Sequence, residues 1–191
     1  MQRADHDLAF MLQYENIAWY EDGKVKILDR RIYPARVEFV TCGTHQEVAQ
    51  AITDMVTQSA GPYTAVPMGM ALAAHECRDK TAAEQMEYLR KAAHTISHAR
   101  PTTVKRMALL CDLCLAEAER ALAAGEDTAQ AIVNKTVELN NTRYERVAKI
   151  GKYLVDLFPE NGTVMTHCFA ETIVGMMLRE CSERGKHIRL F

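Results

Sequence analysis

The sequence predicts an α+β fold: a mostly helical domain with a small antiparallel sheet, followed by the first βαβ unit of a parallel, doubly wound sheet. Three observations predict this fold. An Asp-Gly turn lies between strand-like runs in residues 17–40, apolar side chains recur at helical spacing over residues 44–158, and residues 160–191 change from strand to helix to strand.

The composition narrows the class of protein before any element is placed. Of the 191 residues, 48% are hydrophobic and 25% are charged, which excludes a disordered chain, and the formal charge of -2 gives no bulk attraction for nucleic acid. No run approaches the roughly 20 apolar residues that span a bilayer. Because residues 1–7 are too charged for a secretory signal, we expect a cytoplasmic protein, without nucleic-acid or membrane partners, whose six cysteines are free and mostly buried.

The small sheet is predicted from three short runs. Residues 17–20 and 25–28 are rich in β-forming side chains, and the Asp22-Gly23 turn between them is a strong hairpin signal. Residues 36–40 alternate polar and apolar side chains, as a half-buried strand does. These runs predict an antiparallel sheet at the N-terminus.

Helical spacing begins at Thr44, which opens a capping box with Glu47. The apolar stripe of this first helix ends at Met55 and Val56. Residues 58–69 contain two prolines and two glycines, so they are predicted as a loop whose second half is apolar enough to be buried.

Three further helices are predicted after this loop. Thr81 opens a second capping box, and its helix continues to about Ile96 before Pro101 ends it. Longer helices follow over residues 103–124 and 127–158, separated by a glycine that suits a helix C-terminus.

The spacing of apolar side chains changes once more near the end of the chain. A buried strand is predicted over residues 163–168, a helix over 171–184 and a second strand from 188. This βαβ unit is typical of the start of a Rossmann-like domain. Two parallel strands with one helix cannot bury both faces of their sheet. We therefore expect residues 1–159 to form a helical N-terminal domain and residues 160–191 to begin an incomplete Rossmann-like domain.

Cys168 has the best position for chemistry. It lies at the predicted carboxyl end of the first parallel strand and just before a helix, which is where open α/β sheets bind ligands. The helix N-terminus and the neighbouring His167 could stabilise its thiolate. On residue type alone, the alternative of a buried structural thiol is the stronger one.

Two segments could bind an anion. Arg100 lies at a junction between helices and is followed by Thr102 and Thr103, whose hydroxyls could cap the next helix and leave N–H groups for an anion. The loop at residues 58–61, with Ser59, Ala60 and Gly61, could fold its N–H groups around a phosphate. The alternatives are a surface arginine and an ordinary polar loop.

Two pairs of residues have metal-ligand spacing, but each lacks the remaining ligands. Cys111 and Cys114 lie inside a helical stretch without a second pair, so core packing explains them better. His94 and His98 lack a third ligand and are interpreted as a polar face near a helix end. We expect no metal and no cofactor.

Taken together, these segments resemble one family: methylthioribose-1-phosphate isomerase, ribose-1,5-bisphosphate isomerase and the regulatory subunits of translation initiation factor 2B. The resemblance runs in order along nearly the whole chain and corresponds to about the first half of a family member. Its segments are residues 17–34, residues 47–56, residues 69–74, Arg100-Pro101-Thr102 with Val104, Thr166-His167-Cys168 and the turn Gly185-Lys186.

The resemblance implies an isomerase that converts an aldose 1-phosphate into a ketose 1-phosphate, in methionine salvage for the methylthioribose branch. It implies that Cys168 is catalytic together with an aspartate beyond Phe191, so that the 191-residue chain alone is expected to be inactive. Arg100, His167 and the loop residues Ser59, Ala60 and Gly61 are expected around a phosphorylated sugar. A homodimer is expected, and the scheme requires no metal.

Two hypotheses remain open. The cysteine favours the isomerase, and residues 169–171 (Phe-Ala-Glu) differ from the methylthioribose branch, which favours the ribose-bisphosphate branch or another relative. The loop at residues 58–61 lacks the arginine of the family's usual Arg-Gly-Ala-Pro. That difference, together with the altered residues 169–171, favours the second hypothesis. It is a non-catalytic regulatory protein like the initiation-factor subunits, which binds a sugar phosphate or nucleotide.

Overall fold

A computed structural model describes residues 3–191, so Met1 and Gln2, the first residues of the charged start, lie outside the described residues. The chain divides into two compact units. The helical unit is Tyr14–Glu138, and the terminal unit combines Met1–Gln13 with Leu139–Phe191. Most residues are helical, and no helix within residues 3–191 has the length and apolar character needed to cross a membrane.

The predicted hairpin is confirmed. After the short helix α1 (Tyr14–Ile17), strand β1 (Ala18–Glu21) pairs antiparallel with β2 (Lys24–Leu28). Asp22 and Gly23 have φ angles of 48° and 71°, the left-handed values that both central residues of a type I′ turn need.

The third strand is present, but it starts later than predicted. Strand β3 (Phe39–Cys42) pairs antiparallel with β2, and Phe39 lies opposite Leu28, the last residue of β2. Residues 36–38 therefore lie beyond the end of β2, where Asp29 N–H donates to the carbonyl of Glu38 at 2.9 Å. The alternating pattern correctly predicts a strand here, but the end of the partner strand decides which residues pair.

Helix α2 (His45–Thr53) begins at the predicted cap, where the Thr44 hydroxyl accepts a hydrogen bond from Glu47 N–H at 3.2 Å. The helix is shorter than predicted. Met55 has a φ of 60° and is 39% exposed, whereas Val56 is buried. The last two positions of the predicted stripe therefore lie beyond the helix.

The predicted loop over residues 58–69 is wrong from Pro62 onwards. Helix α3 (Pro62–Glu76) contains both prolines, and twelve of its fifteen residues are buried. A helix that is apolar on every side has no amphipathic period, so its spacing does not reveal it. Pro62 is tolerated in the first turn, where an N–H would have no intrahelical acceptor.

Helix α3 is the core of the helical unit. It packs against α2, β1, α4 (Ala82–Ser97) and α5 (Val104–Ala124). A Cβ at Gly69 would lie only 2.9 Å from Val48 Cγ1 and 3.1 Å from Ile96 Cδ1. The close approach of α2 and α4 to α3 therefore depends on glycine at this position.

The predicted ends of α4 and α5 are confirmed. Thr81 and Glu84 form a complete capping box at the start of α4. Gly125, with a φ of 67°, ends α5 in the left-handed conformation. Between α4 and α5 the chain makes a 3₁₀ turn at Pro101–Thr103.

The terminal unit contains the predicted strand, helix and strand. Helix α6 (Thr128–Asp156) precedes β4 (Asn161–Val164), α7 (Glu171–Glu183) and β5 (His187–Leu190), and β4 and β5 pair in parallel. Buried side chains of α6 and α7 form a small core there: Val155, Met177 and Cys181. The division between residues 159 and 160 and the Rossmann-like completion of this sheet stay predictions.

Candidate functional site

A cavity of about 160 Å³ in the helical unit brings together two predicted anion-binding positions that are far apart in the sequence. Ser59 comes from the loop before α3, and Arg100 comes from the junction between α4 and α5. The other lining residues are Pro62, Tyr63, Thr103, Arg106, Met107 and Leu110. The cavity therefore combines an apolar wall with hydroxyl and guanidinium groups.

Two guanidinium groups line this cavity, those of Arg100 and Arg106. Within residues 3–191, neither forms an ion pair with a carboxylate. The guanidinium carbon of Arg106 lies 5.2 Å from the centre of the Tyr63 ring, a cation–π contact. Two positive charges without acidic partners, beside an apolar wall, suit an anion that can accept several hydrogen bonds.

The loop at residues 58–61 is a tight turn rather than an open cradle. Ser59 has a φ of 52°, and Gly61 N–H donates to the carbonyl of Gln58 at 2.8 Å. A Cβ at Gly61 would lie 2.0 Å from Thr57 Oγ1, so the turn needs glycine. Ser59 lines the cavity, whereas Ala60 and Gly61 shape the turn behind it.

The first N–H groups of α3 are already bonded within this turn. Tyr63 N–H donates to Ala60 and Thr64 N–H to Gly61, each at 3.0 Å. The donors that the cavity offers are therefore side chains, chiefly the two guanidiniums and the Ser59 hydroxyl.

The expectation that threonine hydroxyls cap α5 is not met. Thr103 is the N-cap residue, but its side chain makes no capping hydrogen bond. Its hydroxyl instead donates to the carbonyl of Arg100 at 3.4 Å, across the 3₁₀ turn that precedes α5. Thr103 therefore joins the two ends of the junction that presents Arg100.

Cys168 and His167 lie in the terminal unit, in the loop between β4 and α7 and not at the end of a strand as predicted. Strand β4 ends at Val164, and Thr166 N–H donates to the carbonyl of Phe191 at 2.7 Å, beside the carboxyl end of β5. Both side chains are exposed, so the alternative of a buried structural thiol is wrong for Cys168.

The other five cysteines are buried, as expected for small apolar side chains: Cys42, Cys77, Cys111, Cys114 and Cys181. Burial raises the pKa of the Cys42 thiol to about 11 and that of Cys111 to about 12, and it also raises the pKa of Cys114. Core packing is thus confirmed for the Cys111–Cys114 pair.

The histidine pair also behaves as predicted. His94 and His98 are exposed near the end of α4, with ring centres 4.0 Å apart. Within the part of the chain that the structure describes, no group of three or more histidine, cysteine or acidic side chains could hold a metal ion.

Sequence reasoning missed Arg106 and Tyr63. The sequence does contain a signal for Arg106: it is a cation in the first turn of a helix, where the helix dipole disfavours positive charge. Tyr63 could not be found, since its segment was predicted as a loop.

The fold is α+β, and its cavity brings two guanidinium groups together beside an apolar wall. Residues 61–191 match the initiation factor 2 subunit family. The chain belongs to this family.

Curated relatives extend the match over nearly the whole chain. A putative methylthioribose-1-phosphate isomerase of Archaeoglobus fulgidus is 28% identical over 186 residues, covering 90% of this chain and 52% of the relative. Methylthioribose-1-phosphate isomerase of Carboxydothermus hydrogenoformans is 29% identical over 184 residues, covering 91% and 52%. The chain thus spans about half the length of the curated relatives that it matches.

Two solved structures show the same fold. Translation initiation factor eIF-2B subunit delta from A. fulgidus superposes with a TM-score of 0.69 at 24% identity, covering 92% of this chain and 53% of that one. The 5-methylthioribose 1-phosphate isomerase of Pyrococcus horikoshii superposes with a TM-score of 0.65 at 22% identity, covering 92% and 51%.

Proposed function

We propose that this chain is the N-terminal half of a sugar-phosphate isomerase that interconverts an aldose 1-phosphate and a ketose 1-phosphate. The observation that carries the proposal is the cavity in which Ser59 and Arg100 meet, with two guanidiniums that lack acidic partners. The names of the curated relatives support the same reaction. The substrate is of the methylthioribose-1-phosphate or ribose-1,5-bisphosphate type.

In this proposal, Arg100 binds the phosphate of the sugar. Its planar guanidinium matches two phosphate oxygens at once, which fixes the orientation of the phosphate as well as its position. Ser59 adds a hydroxyl donor, while Ala60 and Gly61 hold the turn that presents it. Fixing one end of the sugar reduces the entropy that the reaction must otherwise overcome.

Cys168 is proposed as the catalytic group, with His167 beside it. Exposure in the loop before α7 supports this role, because a thiol must be accessible to act on a substrate. A thiol and a carboxylate can move a proton between C1 and C2 of the sugar. The resemblance assigns the carboxylate to a residue beyond Phe191, so we expect the 191-residue chain alone to be inactive.

The domain organisation follows from the same proposal. Residues 1–159 form the helical N-terminal domain, and residues 160–191 begin a Rossmann-like domain that contains the second catalytic group. The parallel pairing of β4 and β5 around α7 supports this assignment. The complete protein is proposed to act as a cytoplasmic homodimer.

A second candidate is a non-catalytic regulatory protein that uses the cavity to bind a sugar phosphate or nucleotide. The loop at residues 58–61 lacks the arginine of the usual family sequence, which favours this candidate. It predicts binding of phosphorylated ligands without turnover.

A coupled isomerase assay on the full-length protein tests the proposal, with methylthioribose 1-phosphate and ribose 1,5-bisphosphate as substrates. Cys168→Ser is expected to reduce turnover at least ~100-fold, the usual lower limit for losing an acid–base group. The matched control is Met165→Ser, which changes a side chain that is 80% exposed in the same loop. Unchanged turnover in Cys168→Ser would remove the thiol from the mechanism, and binding without turnover would favour the regulatory candidate.

A further inference from the structure

Arg106 lies where the helix dipole disfavours a positive charge. It lies in the first turn of α5, which contains no acidic residue, so its charge faces the positive end of the helix dipole. Within residues 3–191, it has no carboxylate partner that would offset this cost.

The Arg106 side chain is nevertheless directed by a specific contact. Its guanidinium carbon lies 5.2 Å from the centre of the Tyr63 ring, and both residues line the same cavity as Arg100 and Ser59. An aromatic face can orient a guanidinium without neutralising it, which leaves its N–H groups available to a ligand. The adjacent Lys105 is exposed and does not line the cavity.

We propose that Arg106 is a second anion-binding residue and determines specificity, so that Arg100 and Arg106 together select the dianion of a phosphate monoester over a singly charged diester. The inference rests on the proposed role of this cavity as the phosphate site. The loop at residues 58–61 contains no arginine, so it does not supply a second positive charge. In this inference, Arg106 of α5 supplies it.

Calorimetric titration of the 191-residue chain with inorganic phosphate at about pH 8, where the ligand is mostly the dianion, tests this proposal. Arg100→Met and Arg106→Met are each expected to weaken binding at least ~10-fold, the usual cost of a lost charge-assisted hydrogen bond. Lys105→Met removes the same charge from the neighbouring position and should change binding less than ~2-fold. Arg106→Lys, which keeps the charge but not the planar fork, should fall between wild type and Arg106→Met.

A purely structural role for Arg106 is separated by two further measurements. The unfolding temperature without phosphate should be the same in Arg106→Met and Lys105→Met. Wild type should prefer phosphate over dimethyl phosphate, which carries one charge, and Arg106→Met should reduce that preference at least several-fold.

The outcomes distinguish this inference from the proposed function. If Arg100→Met loses phosphate binding while Arg106→Met behaves like Lys105→Met, the role of Arg106 is overturned and the phosphate site remains. If the wild-type chain does not bind phosphate, the role of Arg106 and the phosphate site are both overturned. If Arg106→Met loses binding but the full-length protein isomerises no sugar, Arg106 binds an anion and the isomerase proposal fails.

Discussion

The helical unit and the terminal unit differ in how well they bury their apolar side chains. In the helical unit, α3 buries twelve of its fifteen residues, and Met68, Met70 and Leu72 are completely buried. In the terminal unit, Met165 is 80% exposed and Phe191 is 62% exposed, although both flank the strands of a parallel sheet. Parallel sheets are usually covered on both faces.

This difference separates a unit that closes around its own core, and is therefore expected to be rigid, from a unit whose apolar side chains are partly exposed. The helical unit closes around its own core and so can hold the cavity side chains in fixed positions. In the terminal unit, the described part of the sheet has two strands, and the loop after β4 presents Cys168 to solvent. Comparing matched positions in the two units tests how far this contrast extends.

The largest contrast is expected in thiol reactivity. Alkylation requires the thiolate, whose fraction falls tenfold for each unit by which the pKa rises. Burial raises the pKa of the Cys111 thiol to about 12, so very little of it is thiolate near neutral pH. In the native protein, exposed Cys168 should therefore be alkylated by iodoacetamide at least ~100-fold faster than buried Cys111, as measured by mass spectrometry of peptides.

The control is the same reaction in denaturant, where all six cysteines should react at similar rates. Cys168→Ser should abolish the fast phase of the native reaction. Fast labelling of Cys111 or Cys114 would mean that α5 opens readily and that the helical unit is not the rigid region.

The second contrast concerns the loss of apolar side chains. Leu72→Ala removes a fully buried side chain from α3 and should lower the free energy of unfolding by about 2–5 kcal/mol. Phe169→Ala removes a larger side chain that is 59% exposed in the terminal unit, and should change it by less than about 0.5 kcal/mol. Urea denaturation followed by circular dichroism measures both.

An equal loss of unfolding free energy in the two variants would contradict the contrast between the units. A large cost for Phe169→Ala would mean that its side chain is covered in solution. A small cost for Leu72→Ala would mean that the core around α3 collapses to fill the space, which close packing against α2, α4 and α5 makes difficult.

The fold could be predicted from the sequence wherever local signals decide the structure. The Asp22-Gly23 turn, the capping box at Thr81 and the helix end at Gly125 each act through the backbone of a few neighbouring residues. Helix α3 could not be predicted, because other elements bury it on every side and its sequence therefore has no amphipathic spacing. The start of β3 likewise depends on where a different strand ends.

The candidate site was predicted in part for the same reason. The positions of Arg100, Ser59 and Cys168 near the ends of predicted elements indicate them as candidates, and the structure places the first two in one cavity. That Arg106 reaches this cavity, and that Tyr63 orients it, depends on how α3 and α5 pack. Packing between elements cannot be deduced from either segment alone.

The smallest expected contrast comes from two glycines in matching helix ends. Gly125 and Gly185 have φ angles of 67° and 66°, and each is followed by an N–H that bonds five residues back, to Ala121 and Cys181. An added Cβ would meet no atom within 4 Å at either position. Alanine at either site should therefore destabilise its helix end by about 1 kcal/mol, because alanine is strained at a positive φ.

Because the local cost is the same, any difference in global unfolding reports on the units and not on the substitutions. The single tryptophan, Trp19, lies in β1, so its fluorescence follows the helical unit during urea denaturation. We expect Gly125→Ala to lower the midpoint of the Trp19 transition and Gly185→Ala to leave it unchanged, because the small core of α6 and α7 in the terminal unit unfolds first. Gly185→Ala should instead increase hydrogen exchange in α7. Equal shifts of the Trp19 midpoint would show that the two units unfold together, and the contrast would then be one of exposure and not of stability.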